Sequence, residues 1–185
     1  MIKFFGLLSK KKKVDPKVAA SIYVAALDSV IHNGFIEIKD FINTNNNLDA
    51  SPNLTNKDIT WFKNIVYLGN MQNLQIYFEE SQSVIIRSLI LDEIYKDLEH
   101  DKKTLSIENF LDYENYFTDL IRDNESPISA MAYAIFEKYN INNYQGDLFK
   151  RKNKPNPIFY NELKNLLKHF IWNWEDYLDK NKLVF

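Results

Sequence analysis

Apolar side chains return at every third or fourth position along most of this chain, the spacing that gathers them on one face of an α-helix. Ile107, Phe110, Phe117, Leu120 and Ile121 form one such stripe. Ile128, Met131, Ile135 and Tyr139 form a second, and Phe159, Leu163, Leu166, Phe170, Trp174 and Leu178 a third that reads as one continuous helix. The run from Ser81 to Glu99 is apolar nearly all round between Val84 and Leu91, which predicts a helix whose first half is deeply buried. NLQIYF, residues 73–78, has strand-like composition but no second strand to satisfy its backbone, so helix or irregular structure is expected there.

Punctuation between the stripes sets the helix starts. Asp15-Pro16, Ser126-Pro127 and Asn156-Pro157 each place a capping side chain before a proline at the first helical position, where the missing N–H costs nothing. Thr55 and Asp58 have capping-box spacing, with Asp in place of the usual Glu. Gly34 and Gly69 fall where helices begun at Pro16 and Asn56 would end, as glycine tolerates the left-handed terminal conformation. HNGFIEIKDF, residues 32–41, then reads as a helix-turn-helix corner. It resembles the second half of an EF-hand loop, but Ser29, Ile31 and Asn33 stand where calcium needs acids, so no calcium site is expected. The fold expected is all-α, a single compact bundle of about six or seven helices over residues 15–185, preceded by an arm at 1–14.

Composition narrows the chemistry. A length of 185 residues, 45% hydrophobic and 26% charged, fits one globular domain. There is no cysteine, which excludes disulfides, thiolate metal sites and a cysteine nucleophile. Four glycines are too few for a phosphate cradle or dinucleotide fingerprint, and no nucleophile elbow or zinc-type His-Glu motif is present. No cofactor and no metal are expected. The net charge of −2 and a basic complement holding only three arginines argue against nucleic acid as a partner. No apolar run approaches the roughly 20 residues of a membrane span, so a soluble, cytoplasmic protein is expected. The abundance of Asn, Lys and Ile is associated with AT-rich bacterial genomes.

Three groups of residues stand out as candidates. Asp28 lies one helical turn before His32, half of a general-base arrangement and also an ordinary surface pair. Arg87 projects into the apolar arc of its helix and needs a carboxylate, for which Asp28, Asp40, Glu108, Asp112 and Asp119 are candidates. Asp28, His32 and Arg87 would line a ligand pocket if they converge. Trp172 projects onto the polar side of the last helix, flanked by His169 and Ile158, and is either covered or an anchor for a partner.

The third group is the arm itself, where Phe4, Phe5, Leu7 and Leu8 precede Lys10, Lys11, Lys12 and Lys13. That order is the reverse of a secretory signal, and the lysines lack the interleaved aromatics of a nucleic-acid tail. Four lysines at an anionic bilayer supply about 4 kcal/mol, so membrane contact would also need the four apolar side chains inserted. Docking of those side chains on the helices, with the lysines as a solvated hinge, is the preferred expectation, and a membrane surface the less favoured one. The expected function is non-catalytic: a helical protein-interaction domain acting as adaptor, chaperone-like factor or inhibitor. A small-ligand or enzymatic domain and a peripheral membrane protein are the alternatives.

Overall fold

In the computed structural model, which describes residues 11–124 and 126–185, the Asp15 carboxylate accepts the Lys17 N–H at 2.7 Å and Pro16 opens helix α1, Pro16–Thr44. This helix runs 29 residues, straight through Gly34. The expected corner at 32–41 is therefore absent: Phe35, Ile38 and Ile42 continue the buried face of Leu27 and Ile31, and their burial carries the helix on. With its backbone helical, the stretch has no loop to wrap a calcium ion. Gly34 serves close packing instead, since a Cβ there would stand 2.6 Å from Phe170 Cζ.

The Thr55–Asp58 capping box forms and leads through a 3-10 turn into α2, Ile59–Met71. Gly69 is likewise interior to its helix, beneath the Met131 side chain. Residues 73–78 supply a short helix, α3, Leu74–Tyr77. Helix α4, Glu80–Ile94, departs from expectation: Ser83, Ile86, Ile90 and Leu91 are buried, while Val84 is 63% and Ile85 45% exposed. It packs on α1 along one side, so its outer apolar face is left in solvent among the described residues.

Helix α5, His100–Asn124, precedes α6, Pro127–Lys138, which starts at a Ser126 cap. Small and apolar side chains of α6, Ala130 to Phe136, let it sit at the centre of the bundle against α2, α5 and α8. Helices α7, Asp147–Lys152, and α8, Pro157–Leu167, follow. A 3-10 turn at Lys168–Phe170 and a bend at 171–173 then break the third stripe, and α9 covers Trp174–Lys180. The break has an identifiable cause. Buried Asn70 donates to the Phe170 carbonyl at 2.8 Å and accepts the Trp172 N–H at 2.7 Å, which satisfies the backbone groups that a continuous helix would have paired.

Strand β1, Lys12–Val14, pairs in parallel with β2, Asn181–Leu183. Lys12 and Lys13 thus belong to a strand and not to a hinge. Among the described residues seven helices have seven residues or more, and the fold is all-α apart from this ribbon. By length and composition α1 could cross a membrane; here Tyr23, Leu27, Ile31, Phe35 and Ile38 lie in the core.

Candidate functional site

Helix α1 does place Asp28 and His32 one turn apart, but the two side chains turn away from each other. His32 Nδ1 donates to the Asp28 backbone carbonyl at 2.8 Å. The Asp28 carboxylate faces α2, where Lys63 Nζ lies 2.8 Å from Oδ1 and Tyr67 donates its hydroxyl to Oδ1 at 3.0 Å. Neither the half general base nor the ordinary surface pair that the spacing allows is formed between the two side chains, because the carboxylate is already engaged as a half-buried ion pair. Burial, and then the charge of Asp28, push the Tyr67 phenol far above its usual range. Tyr67 is held here as a hydrogen-bond donor to Asp28.

Arg87 is ion-paired at the rim of the core. Its Nε donates to Glu114 Oε1 at 3.1 Å and its terminal nitrogen to Glu114 Oε2, a two-point grip. The partner is none of Asp28, Asp40, Glu108, Asp112 or Asp119, and no hydrogen bond or ion pair links Arg87 to Asp28 or His32 among the described residues. Arg87→Ala should destabilise the fold by about 1–3 kcal/mol, since Glu114 would stay largely covered without a counter-charge. Adding Glu114→Gln should recover part of that loss in denaturant melts.

The residues grouped around Trp172 are spread apart by the break between α8 and α9. Ile158 is exposed on α8, and His169, also exposed, lines a concavity of about 580 Å³ with Phe41, Asn45, Glu162 and Leu166. Trp172 is half-buried, edge-on to Tyr23 at 5.8 Å and close to Trp174 and Tyr177, so it is covered by the chain's own aromatics. It lines a separate concavity of about 310 Å³ with Tyr177, Lys180 and Asn181. A third, of about 440 Å³, is walled by Tyr133, Tyr160, Pro155 and Pro157. None of these three is lined by Asp28, His32 or Arg87. Among the described residues no three His, Asp or Glu side chains are grouped to hold a metal.

Burial also pushes the phenols of Tyr23, Tyr113 and Tyr139 well above tyrosine's usual range, as it does Tyr67. In the unfolded chain they would ionise near pH 10, so the stability they contribute is complete below about pH 10 and declines as pH rises toward the folded values. A spectroscopic titration of the 11 tyrosines should have two phases, these four ionising only as the helices melt. One non-cooperative transition near pH 10 for all of them would contradict this packing.

Of the arm, Lys11 donates to the Leu178 carbonyl at 2.7 Å and lies 3.9 Å from Asp179, and Lys12 and Lys13 are exposed on β1. Phe4, Phe5, Leu7, Leu8 and Lys10 lie outside the described residues.

The surface feature that periodicity did not anticipate runs from α3 into α4. Ile76 is 71% exposed, and Tyr77, Val84 and Ile85 are exposed with it. Phe185 joins them, its ring 6.2 Å from that of Phe78, and Val184 N–H donates to the Val14 carbonyl at 3.0 Å. The two ends of the described chain therefore meet beside an apolar surface. Comparison with protein-family models, with curated proteins and with solved structures finds no match to this chain.

Proposed function

We propose that this chain is a non-catalytic helical domain that acts by binding another protein through the surface of α3 and α4. The observation that carries this reading is the exposure of Ile76, Val84 and Ile85 within ten residues of chain, with exposed Phe185 beside Phe78 in the link between α3 and α4. Exposed apolar groups concentrated in this way are characteristic of interaction surfaces, because solvent contact there is unfavourable until a partner covers it. The charged residues with catalytic potential point the same way: Asp28 and Arg87 are neutralised by Lys63 and Glu114, which leaves neither available to a substrate.

Val84→Asp with Ile85→Asp tests the reading. Both side chains face solvent, so thermal stability should change by no more than about 0.5 kcal/mol per site. Proteins that co-purify stoichiometrically with the parent chain from the cells that make it should be lost from the double variant. An unchanged set of co-purifying proteins would refute the surface as the binding site.

A further inference from the structure

The ribbon of β1 and β2 is an unusual object. Parallel strands are normally buried inside larger sheets, and two short strands alone are marginal in water. This pair is held by its surroundings: Val14 is buried, Leu183 is half-buried against the core, and Lys11 reaches across to the Leu178 carbonyl. Val14 lies opposite Leu183 and accepts the N–H of Val184, so in the parallel pattern the peptide groups of Val14 face β2. Those of Lys13 then face outward, at an edge on which no third strand lies among the described residues.

Charge decides what such an edge can accept. Lys11, Lys12, Lys13, Lys180 and Lys182 are all exposed, and the flanking acids are Asp15, which caps α1, and Asp179, which lies 3.9 Å from Lys11. The rest of the chain is acidic enough to bring the net charge to −2, so the ribbon is a local basic island. Lysines on an open edge oppose pairing with a second, equally basic copy of the same edge. They favour an extended segment of opposite charge. The ribbon also runs directly into Val184 and Phe185, whose ring lies beside Phe78 in the link between α3 and α4.

We infer that the outer edge of β1 is a strand-addition site for an extended acidic segment of the partner protein, with main-chain hydrogen bonds to Lys13 and carboxylates set among Lys12, Lys13, Lys180 and Lys182. This rests on the reading of the chain as a protein-interaction domain and names the chemistry of the partner.

The test is selection of random octapeptides displayed against the immobilised full chain, followed by binding measurements on the enriched peptides. The expected result is enrichment of Asp or Glu at alternate positions. Affinity should fall at least about tenfold on Lys12→Glu with Lys13→Glu, and to a similar degree when alternate peptide amides are N-methylated. Both lysines are exposed, and circular dichroism of the variant confirms that the helices persist. No enrichment, enrichment of peptides without acids, or binding indifferent to N-methylation would overturn the inference. Peptides that ignore the lysine variant but are lost with Val84→Asp and Ile85→Asp would overturn strand addition while supporting the apolar surface.

Discussion

Asn70→Leu is expected to cost about 3 kcal/mol of folding free energy, equivalent to a melting temperature lower by about 6–12 °C for a domain of this size. The side chain is 2% exposed and makes three hydrogen bonds, to the carbonyls of Val66 and Phe170 and from the N–H of Trp172. Val66 O keeps its helical partner when Asn70 is replaced. Phe170 O and Trp172 N sit at the break between α8 and α9 and have no helical alternative, so each is left buried and unpaired, at about 1–3 kcal/mol apiece. Because α9 carries Trp174 into a cluster with Tyr23, Phe78 and Tyr177, the loss should also appear as a red shift of tryptophan emission in the native state. A change below about 0.5 kcal/mol would mean that Asn70 does not hold the bend.

Gly69→Ala should destabilise the protein by about 1–3 kcal/mol, although in an exposed helix the same change stabilises by about 1 kcal/mol. The sign reverses because a Cβ at position 69 would lie 2.6 Å from Met131 Cγ, and Met131 is itself fully buried between α2 and α6. Met131→Ala in the same chain should make the pair of changes less costly than the sum of the two alone, which denaturant melts can resolve. Gly146→Ala is the control. Its nearest neighbours are the Asp49 carboxylate oxygens at 3.7 Å, so only a small effect is expected.

These two residues also mark where sequence periodicity stops being informative. The proline-led helix starts at Asp15, Ser126 and Asn156 were legible because capping is local, decided by residues two or three apart. The glycines were not, because the same residue type serves a helix end and a close helix crossing. Only the partner, Phe170 for Gly34 and Met131 for Gly69, tells them apart. The third apolar stripe kept its helical period across the bend at 171–173 because Phe170 and Trp174 are buried either way; the polar anchor that breaks it lies 100 residues upstream.

The candidate site followed the same division. Arg87 was recognisable as a cation needing a partner, and a signal for that partner was present: Glu114 is one turn from both Phe110 and Phe117, inside the buried stripe of α5, as Arg87 is inside that of α4. Asp28 and His32 could be placed on one face but not oriented, since the Asp28 carboxylate answers to Lys63 and Tyr67 on another helix and the His32 ring to the Asp28 backbone carbonyl. The apolar surface of α4 cannot be told from core by composition, which counts apolar residues without counting the helices available to cover them. Nothing described packs on the outer side of Val84 and Ile85.

The most direct measurement places a photo-crosslinking benzoyl-phenylalanine at Val84 and, in a second chain, at Leu148, a comparably exposed apolar position on α7. Irradiation in the cells that make the protein should yield a discrete crosslinked species from position 84 that is absent from position 148. Identical patterns from the two positions, or none from either, would contradict a domain that works by presenting the α3–α4 surface to another protein.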